Sequence, residues 1–467
     1  MKHRKTGSNP MTEWLDAALA YAGRWIDFQM QQTEQPGCAV AVAKKGEVIF
    51  DKAFGVADLR TGEALGTEHR FRVASHSKTF TAVGIMMLQE AGRLHLDDRI
   101  GLYIKDLDPS VADTTISQLL SHSGGIMRDG RLSSHWQVTA PFFDAAALRE
   151  ELALPLTIDA NTRFKYSNLG FGLLGFLIEA ITDEAYIDWI MREVVIASGL
   201  KHTTPDMPLA DGTPLAFGHS GRPPFGRGAI DGHQPTFALA AATGFVSTAA
   251  DLARFFSSLD PAAETSLLSK ASRREMGRRH WQVPHSSEPR YYGLGTMLMD
   301  AGGQALIGHG GSFPGFISRT ATIPQWGVTL SVVTNSVDGP ANAWLEGIVS
   351  IMDRFSIHGS PTERVADWAS RWWTLWTAID LVPMGDKVFV GNPGGLKPFT
   401  DEAELEILNS NEGKIVLANG FASHGEPVRR SFDVSGKPER LLLGGSDWSP
   451  DPARLAISYA GLPSGPK

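Results

Sequence analysis

A lysine follows a serine by three residues at the start of a strongly apolar segment. Ser75 and Lys78 lie in the stretch FRVASHSKTF, and the apolar pattern predicts a helix over 77–91. Residues three apart on a first helical turn share a face, so the hydroxyl and the amine can meet. A helix N-terminus favours a developing oxyanion, and a buried lysine holds its proton less tightly. The spacing predicts a serine nucleophile beside an amine base, but it also suits a simple helix cap and recurs at Ser198 and Lys201.

A tyrosine and an asparagine form the second candidate pair, in the stretch RFKYSNLGFGLLG. Tyr166 and Asn168 are two residues apart, so on an extended backbone their side chains project to the same side. A phenol beside an ammonium group can ionise more readily and act as a second base. The alternative is a half-buried aromatic residue followed by an N-cap at Asn168.

A histidine at the end of a strand-like run forms the third candidate, in ALIGHGGSFPGF. Gly310 and Gly311 after His309 allow a ligand to approach the backbone closely. A substrate beside this strand edge could accept a hydrogen bond from the N–H of Ser312. A tight turn that happens to follow a histidine is the structural alternative.

The order of these three motifs is informative where each alone is ambiguous. S-x-x-K, Y-x-N and H-x-G in this succession resemble the penicillin-recognising serine hydrolases. The chain is most similar to their class C β-lactamase, D-aminopeptidase and esterase branch, peptidase family S12. Five stretches between about residues 35 and 340 carry the resemblance: FRVASHSKTFTA, TISQLLSHSGGI, FKYSNLGFGLLG, TGFVSTAADLARF and GHGGSFPGF.

The resemblance implies roles for the candidate residues. Ser75 would attack a carbonyl and form an acyl-enzyme, with Lys78 as its partner. Tyr166 would be the general base and would return a proton to the leaving group, and which of Lys78 and Tyr166 takes the first proton is left open. Asn168 would hold the substrate amide and orient the lysine. The N–H groups of Ser75 and Ser312 would form the oxyanion hole beside the His309–Gly311 segment. No metal or organic cofactor is implied.

His309 departs from the lysine that many β-lactamases place at this position. A lysine is a permanent cation for a substrate carboxylate, whereas histidine is largely neutral at pH 7. The leading prediction is a serine hydrolase of small amides or peptides, including D-amino-acid-containing ones. A carboxylesterase of short acyl esters and a weak β-lactamase are the alternatives, and a non-catalytic penicillin-binding or scaffold protein lies outside the class.

The arrangement of predicted elements indicates an α+β fold. Strands at both ends of the region would form one antiparallel sheet flanked by helices, with an all-helical subdomain over about 76–240. The predicted hydrolase domain is 1–358, in which 1–11 form a disordered tail. Short β-like runs in 359–467 predict a small C-terminal antiparallel β-domain, such as a barrel.

The C-terminal region offers two further expectations. The Gly/Pro-rich, acidic stretch 392–404 could reach the cleft, where Asp401 or Glu402 would meet a substrate ammonium, although a solvated surface loop is the alternative. The tryptophans between 368 and 376 are expected in an interdomain core.

The composition and net charge limit the classes of binding partner that can be expected. The chain has 467 residues, 42% of them hydrophobic and 20% charged, which is typical of a globular protein. A net charge of −8 without a basic run excludes nucleic acid as an expected partner. Cys38 is the single cysteine and is expected to be a buried apolar residue. We expect a cytoplasmic protein with no membrane segment, acting on a small molecule or short peptide, and homo-oligomerisation is left open.

Overall fold

The computed structural model describes residues 10–224, 226–420 and 422–453. The helices in those residues are α1 (Pro10–Thr33), α2 (Ser77–Glu90), α3 (Pro109–Ala112), α4 (Ile116–Leu120), α5 (Ala145–Leu152), α6 (Asn168–Thr182), α7 (Tyr186–Ile190), α8 (Ala249–Ser258), α9 (Lys270–Met276) and α10 (Ala341–His358). The predicted tail at 1–9 and the strand-like run after residue 453 lie outside the described residues, whereas residues 10 and 11 belong to α1.

The strands are numbered in the same way along the chain. They are β1 (Gly37–Lys44), β2 (Glu47–Asp58), β3 (Glu63–Ala64), β4 (Phe71–Arg72), β5 (Gly218–His219), β6 (Ala229–Ile230), β7 (Val246–Ser247), β8 (Trp281–Gln282), β9 (Arg290–Tyr292), β10 (Met297–Ala301), β11 (Gln304–Phe313), β12 (Phe316–Ile323), β13 (Val328–Thr334), β14 (Ser370–Trp373), β15 (Ala378–Met384), β16 (Lys387–Gly391), β17 (Ala403–Ile407), β18 (Glu412–Leu417), β19 (Pro427–Phe432), β20 (Pro438–Leu443) and β21 (Ser446–Trp448).

Residues 34–345 form one compact unit around a nine-stranded antiparallel sheet. Its strand order is β3-β2-β1-β13-β12-β11-β10-β9-β8, so strands from both ends of the segment meet where Cys38 of β1 pairs with Thr334 of β13. Almost every residue of β1 and β13 is buried, which explains their continuous apolar runs. The predicted antiparallel sheet assembled from both ends is confirmed.

The helical subdomain of this unit is built around α2 and α6. Eleven of the fourteen residues of α2 are buried, and α6 is buried from Asn168 to Ile178. Gly92, with φ of +68°, follows the end of α2 as the sequence predicts. Ser167 caps α6 by accepting the N–H of Gly170, so Asn168 is the first residue of the helix and not its N-cap.

Residues 10–33 and 346–453 group into the second compact unit. Its strands β14 to β21 form an eight-stranded antiparallel sheet in chain order, and Trp373 and Ser449 exchange backbone hydrogen bonds that join the two ends. Closure pairs the edge strands, which would otherwise stay exposed. The predicted C-terminal barrel is thereby confirmed.

Two details of this unit differ from the sequence expectations. The sequence predicts one domain over 1–358, whereas the structure groups α1 with the C-terminal unit, because contacts that are distant in sequence decide the grouping. Trp368 and Trp372 are buried in the core of the barrel itself, while Trp376 is 89% exposed. The tryptophans therefore do not form a single interdomain core.

No helix in the described ranges is long and apolar enough to cross a membrane.

We predict that Trp25→Ala destabilises the unit formed by α1 and the barrel by about 3–5 kcal/mol, because it leaves a cavity in a packed core. Trp25 is completely buried, and its indole N–H donates to the carbonyl of Gly395 at 3.1 Å. Urea unfolding followed by circular dichroism measures the loss. Trp376→Ala is the matched control and should change stability by no more than about 0.5 kcal/mol. Equal effects of the two changes would contradict the packing described.

Candidate active site

Ser75 lies in a short 3₁₀ turn, Ala74–His76, between strand β4 and helix α2. Ala74 has φ of +48°, a left-handed conformation that a non-glycine residue adopts at some cost in energy. The turn leaves Ser75 half-buried while the residues on both sides of it are buried. Its Oγ accepts hydrogen bonds from Lys78 Nζ at 3.1 Å and from the Tyr166 hydroxyl at 2.8 Å.

Lys78 is completely buried on the first turn of α2. Its Nζ also donates to Asn168 Oδ1 at 2.6 Å and to the carbonyl of Ala242 at 2.8 Å. Burial lowers the pKa of Lys78 well below its ordinary value of 10.5, and the nearby Arg128 lowers it further, against the opposing attraction of Asp129. The three hydrogen bonds fix the amine beside Ser75, and its surroundings favour the neutral form.

Tyr166 directly precedes Ser167, the N-cap of α6. Burial raises the pKa of the Tyr166 phenol, and the hydrogen bond to Ser75 and the charge of Arg128 only partly offset this. The phenol therefore keeps its proton at neutral pH. Burial acts in opposite senses on the two groups that contact Ser75 Oγ: it favours the protonated phenol of Tyr166 and disfavours the protonated amine of Lys78.

Asp129 supports this arrangement from the loop after α4, and sequence analysis did not single it out. Its Oδ1 accepts Asn168 Nδ2 at 2.5 Å and the indole N–H of Trp136 at 3.0 Å, and its Oδ2 lies 3.2 Å from Arg128. Because the Nδ2 of Asn168 is bonded to Asp129, its Oδ1 is directed at Lys78. A carboxylate between two cleft residues leaves no local sequence pattern that could have revealed it.

The third predicted motif lies along β11. Strand β10 pairs with β11 only as far as Gly308, whereas β12 pairs with it as far as Phe313, so in the described structure residues 309–313 have a strand neighbour on one side. A Cβ at Gly311 would lie 2.1 Å from the carbonyl oxygen of Val73, two residues before Ser75. Glycine is thus required for the β11 edge to approach the turn of Ser75. Ser312, the next residue, is exposed.

The imidazole of His309 is held by groups of the protein. His309 is 1% exposed; its Nε2 lies 2.9 Å from the Tyr292 hydroxyl and its Nδ1 2.7 Å from the carbonyl of Gly310. Burial, and then the proximity of His76 and Lys78, lower the pKa of His309 well below 6.5. The ring is therefore neutral at pH 7. Tyr292, which orients it, was not identified from the sequence.

A second imidazole, that of His122, lies against the reactive phenol. The ring centroids of His122 and Tyr166 are 4.1 Å apart, and Tyr292 is 4.6 Å from His122 on another side. Burial lowers the pKa of His122 well below 6.5, with Lys78 the next cause. His122 is not among the residues that the motifs single out, yet it packs directly on Tyr166.

Six of the seven predicted site residues line one cleft of about 960 Å³, and the seventh, Lys78, is buried and contacts Ser75. The site thus brings together the three motifs from distant parts of the chain. Glu402, in contrast, forms an ion pair with Arg354 inside the C-terminal unit. Among the described residues, no group of three or more His, Cys, Asp or Glu side chains is placed to hold a metal ion.

Comparison with known protein families shows the family to which the chain belongs. The family model described as Beta-lactamase matches residues 23–348, which is more than half of the chain. The protein therefore belongs to the Beta-lactamase family, and the resemblance noted in the sequence is confirmed.

Individual relatives are distant. Protein flp of Staphylococcus aureus is 27% identical over 186 residues, and Penicillin-binding protein 4* of Bacillus subtilis is 29% identical over 167 residues. These alignments cover 38% and 35% of this chain and 36% and 37% of those proteins. The chain thus matches little more than a third of the length of these curated relatives.

Solved structures resemble the chain over more of its length. The octameric penicillin-binding protein homologue from Pyrococcus abyssi has a TM-score of 0.63 and 21% identity and covers 92% of this chain and 99% of its own. The D-amino acid amidase from Ochrobactrum anthropi SV3 has a TM-score of 0.62 and 22% identity and covers 72% of this chain and 99% of its own. At these identities the likeness establishes the fold.

We predict that Gly311→Ala destabilises the unit of residues 34–345 by about 1–3 kcal/mol, because the added Cβ forces β11 away from the turn of Ser75. Gly310→Ala is the matched control, since its Cβ would have no neighbour closer than 3.3 Å. Chemical denaturation of the two variants beside the wild type measures the difference. If Gly310→Ala is as destabilising as Gly311→Ala, the close approach of β11 is not what requires glycine.

Proposed function

We propose that the protein is a serine hydrolase that forms an acyl-enzyme on Ser75 and cleaves small amides or short peptides, including those with D-amino acids. The observation that carries the proposal is that Ser75 Oγ contacts both the buried amine of Lys78, at 3.1 Å, and the phenol of Tyr166, at 2.8 Å. Nucleophile and proton-transfer groups within hydrogen-bond reach are typical of covalent catalysis.

Acylation begins with transfer of the Ser75 proton to the neutral amine of Lys78. Oγ then bonds to the substrate carbonyl carbon, and the carbonyl oxygen becomes an oxyanion held by the N–H groups of Ser75 and Ser312. In related acyl-transfer enzymes such a donor is worth about 2.7–4 kcal/mol. The lowered pKa of Lys78 and the raised pKa of Tyr166 support Lys78, and not Tyr166, as the first proton acceptor.

Collapse of the tetrahedral species needs a proton on the leaving nitrogen. Tyr166 donates this proton, and the ammonium of Lys78 restores it to the phenol, so the leaving amine carries the proton that left Ser75. Water then attacks the acyl-enzyme and gives one proton back to Ser75, while the acid is released. Asn168 keeps Lys78 in place throughout, through its 2.6 Å hydrogen bond.

The neutral imidazole of His309 supports substrates that do not depend on a carboxylate anchor at this position. Both of its ring nitrogens are engaged by the protein, so the ring offers no fixed cation there. The likeness to a D-amino acid amidase agrees with an amide substrate of this kind. The same neutral site also suits a carboxylesterase of short acyl esters, which is the second candidate. Turnover of β-lactams, in contrast, is expected to be weak.

We predict that a fluorophosphonate probe labels Ser75 and that Ser75→Ala abolishes both labelling and hydrolysis. A panel of D- and L-aminoacyl amides, p-nitrophenyl esters and nitrocefin is tested in parallel by product release. Faster turnover of D-aminoacyl amides supports the amidase, and hydrolysis of the esters alone supports the carboxylesterase. Ser198→Ala, in the other S-x-x-K sequence, is the control and should label fully. Labelling that persists in Ser75→Ala would contradict the proposal.

The proposal also predicts the pH dependence of labelling. Only the neutral amine of Lys78 accepts a proton, so the rate rises with pH through the lowered pKa of Lys78 and then levels off. Because burial raises the pKa of Tyr166 above 10, no alkaline decline is expected up to about pH 9.

The measurement is the second-order rate of fluorophosphonate labelling between pH 5 and 9. The residual labelling rate of Lys78→Met should no longer rise with pH at the acidic end of this range, whereas the rate of the control Lys201→Met should still rise. An unchanged rise in Lys78→Met would show that another group takes the proton.

A further inference from the structure

Trp136 is the largest side chain that lines the cleft. It lies in a short 3₁₀ turn, Ser134–Gln137, and is half-buried. Its indole N–H donates to Asp129 Oδ1 at 3.0 Å, the same oxygen that accepts Asn168 Nδ2. The indole is therefore attached at its polar edge to the network that holds Lys78.

Two buried phenylalanines support the indole. Trp136 meets Phe142 with ring centroids 5.3 Å apart and planes at 87°, and Phe313 with centroids 6.0 Å apart and planes at 78°. Phe142 and Phe313 are each 3% exposed and stack on each other at 5.7 Å. Edge-to-face contacts of this kind fix the orientation of a ring, so the indole cannot move far on this side.

The turn that carries Trp136 ends in an unfavourable backbone conformation. Val138 has φ of +59° and ψ of +26°, the left-handed region that a β-branched residue rarely adopts. Such a conformation persists only where the surrounding structure imposes it, and it is concentrated at ligand-binding sites. The position of the indole is thus maintained against a local backbone preference.

The contacts of Trp136 place it between Asp129 and the end of strand β11. Tyr166, the proposed proton donor to the leaving nitrogen, packs on His122 and lies 6.4 Å from Tyr292 by ring centroids. Trp136 contacts neither of these rings and instead lies between Asp129 and Phe313, the residue after Ser312. An acyl group that runs from Ser75 along the β11 edge past Ser312 would meet the indole, since Trp136 contacts Phe313 and lines the same cleft.

We infer that Trp136 is a specificity-determining residue, the wall of a subsite for a flat or branched apolar group on the acyl half of the substrate. The inference rests on the proposed function, because it needs an acyl-enzyme on Ser75. It extends that function by naming the acyl donor: aromatic or bulky aliphatic acyl groups are preferred over acetyl. The rigid, apolar face of the indole supplies the contact, and Asp129 and the two phenylalanines hold it in position.

The test compares two esters with the same leaving group, p-nitrophenyl benzoate and p-nitrophenyl acetate. Removing an apolar wall changes the discrimination between substrates by roughly 10–200-fold for small differences in size. Trp136→Ala should lower the benzoate-to-acetate ratio of kcat/KM by at least about tenfold relative to the wild type. Trp136→Phe, which keeps an aromatic face without the N–H, should keep most of the preference. Trp376→Ala, an exposed tryptophan far along the chain, is the control and should leave the ratio unchanged.

A second series varies the leaving group at constant acetyl, with p-nitrophenyl acetate and 2-naphthyl acetate. Trp136→Ala should change the benzoate-to-acetate ratio of kcat/KM and leave the ratio between the two acetates unchanged. An unchanged or increased benzoate-to-acetate ratio in Trp136→Ala, or an equal change in both series, overturns the inference. Fluorophosphonate labelling of Ser75 in each variant verifies that the site is folded. A wild-type enzyme without Ser75-dependent turnover would instead refute the proposed function, so the two failures are distinguishable.

Discussion

The site depends on the burial of one amine without a carboxylate beside it. Lys78 is fully buried, and its described hydrogen-bond partners are neutral: a hydroxyl, an amide oxygen and a backbone carbonyl. The charge of Asp129 opposes the lowering of the Lys78 pKa, but its carboxylate is hydrogen-bonded to Asn168. A direct ion pair would stabilise the ammonium, whereas this arrangement favours the neutral amine. The rest of the cleft is consistent with that requirement, since its buried imidazoles are also neutral.

The site also depends on the close approach of backbone segments. Helix α2 must lie deep enough to exclude water from Lys78, and the turn of Ser75 must at the same time face the open edge of β11. Two glycines make these close contacts possible. Gly311 lets β11 reach the carbonyl of Val73. Gly295, with φ of +66°, lets the chain pack on α2, because a Cβ there would lie 2.4 Å from Ala82. The left-handed Ala74 turns Ser75 into the cleft between these two contacts.

The neutral state of His309 links the fold to the proposed substrate. A lysine at this position would place a second cation near Lys78 and would offer an anchor for a carboxylate. Under the proposed function, the buried histidine bonded to Tyr292 offers no such anchor, and recognition would depend on shape. The supported indole of Trp136 is the structural element that can supply such recognition, because an apolar wall selects by size and planarity. In the proposed function, both the proton transfer and the recognition of the substrate therefore depend on uncharged groups.

Local sequence determined the elements and the candidate side chains. Periodic apolar runs mark α1, α2 and β11 to β13, and the ordered motifs single out Ser75, Lys78 and Tyr166, which the structure brings into contact. Only the tertiary structure decided the positions of Asp129, His122 and Tyr292 around them, the grouping of α1 with the barrel, and the pairing of Glu402 with Arg354. It also decided that burial lowers the pKa of Lys78 and raises that of Tyr166. The physical reason is that desolvation and long-range contacts set these properties, and neither is written in the spacing of neighbouring residues.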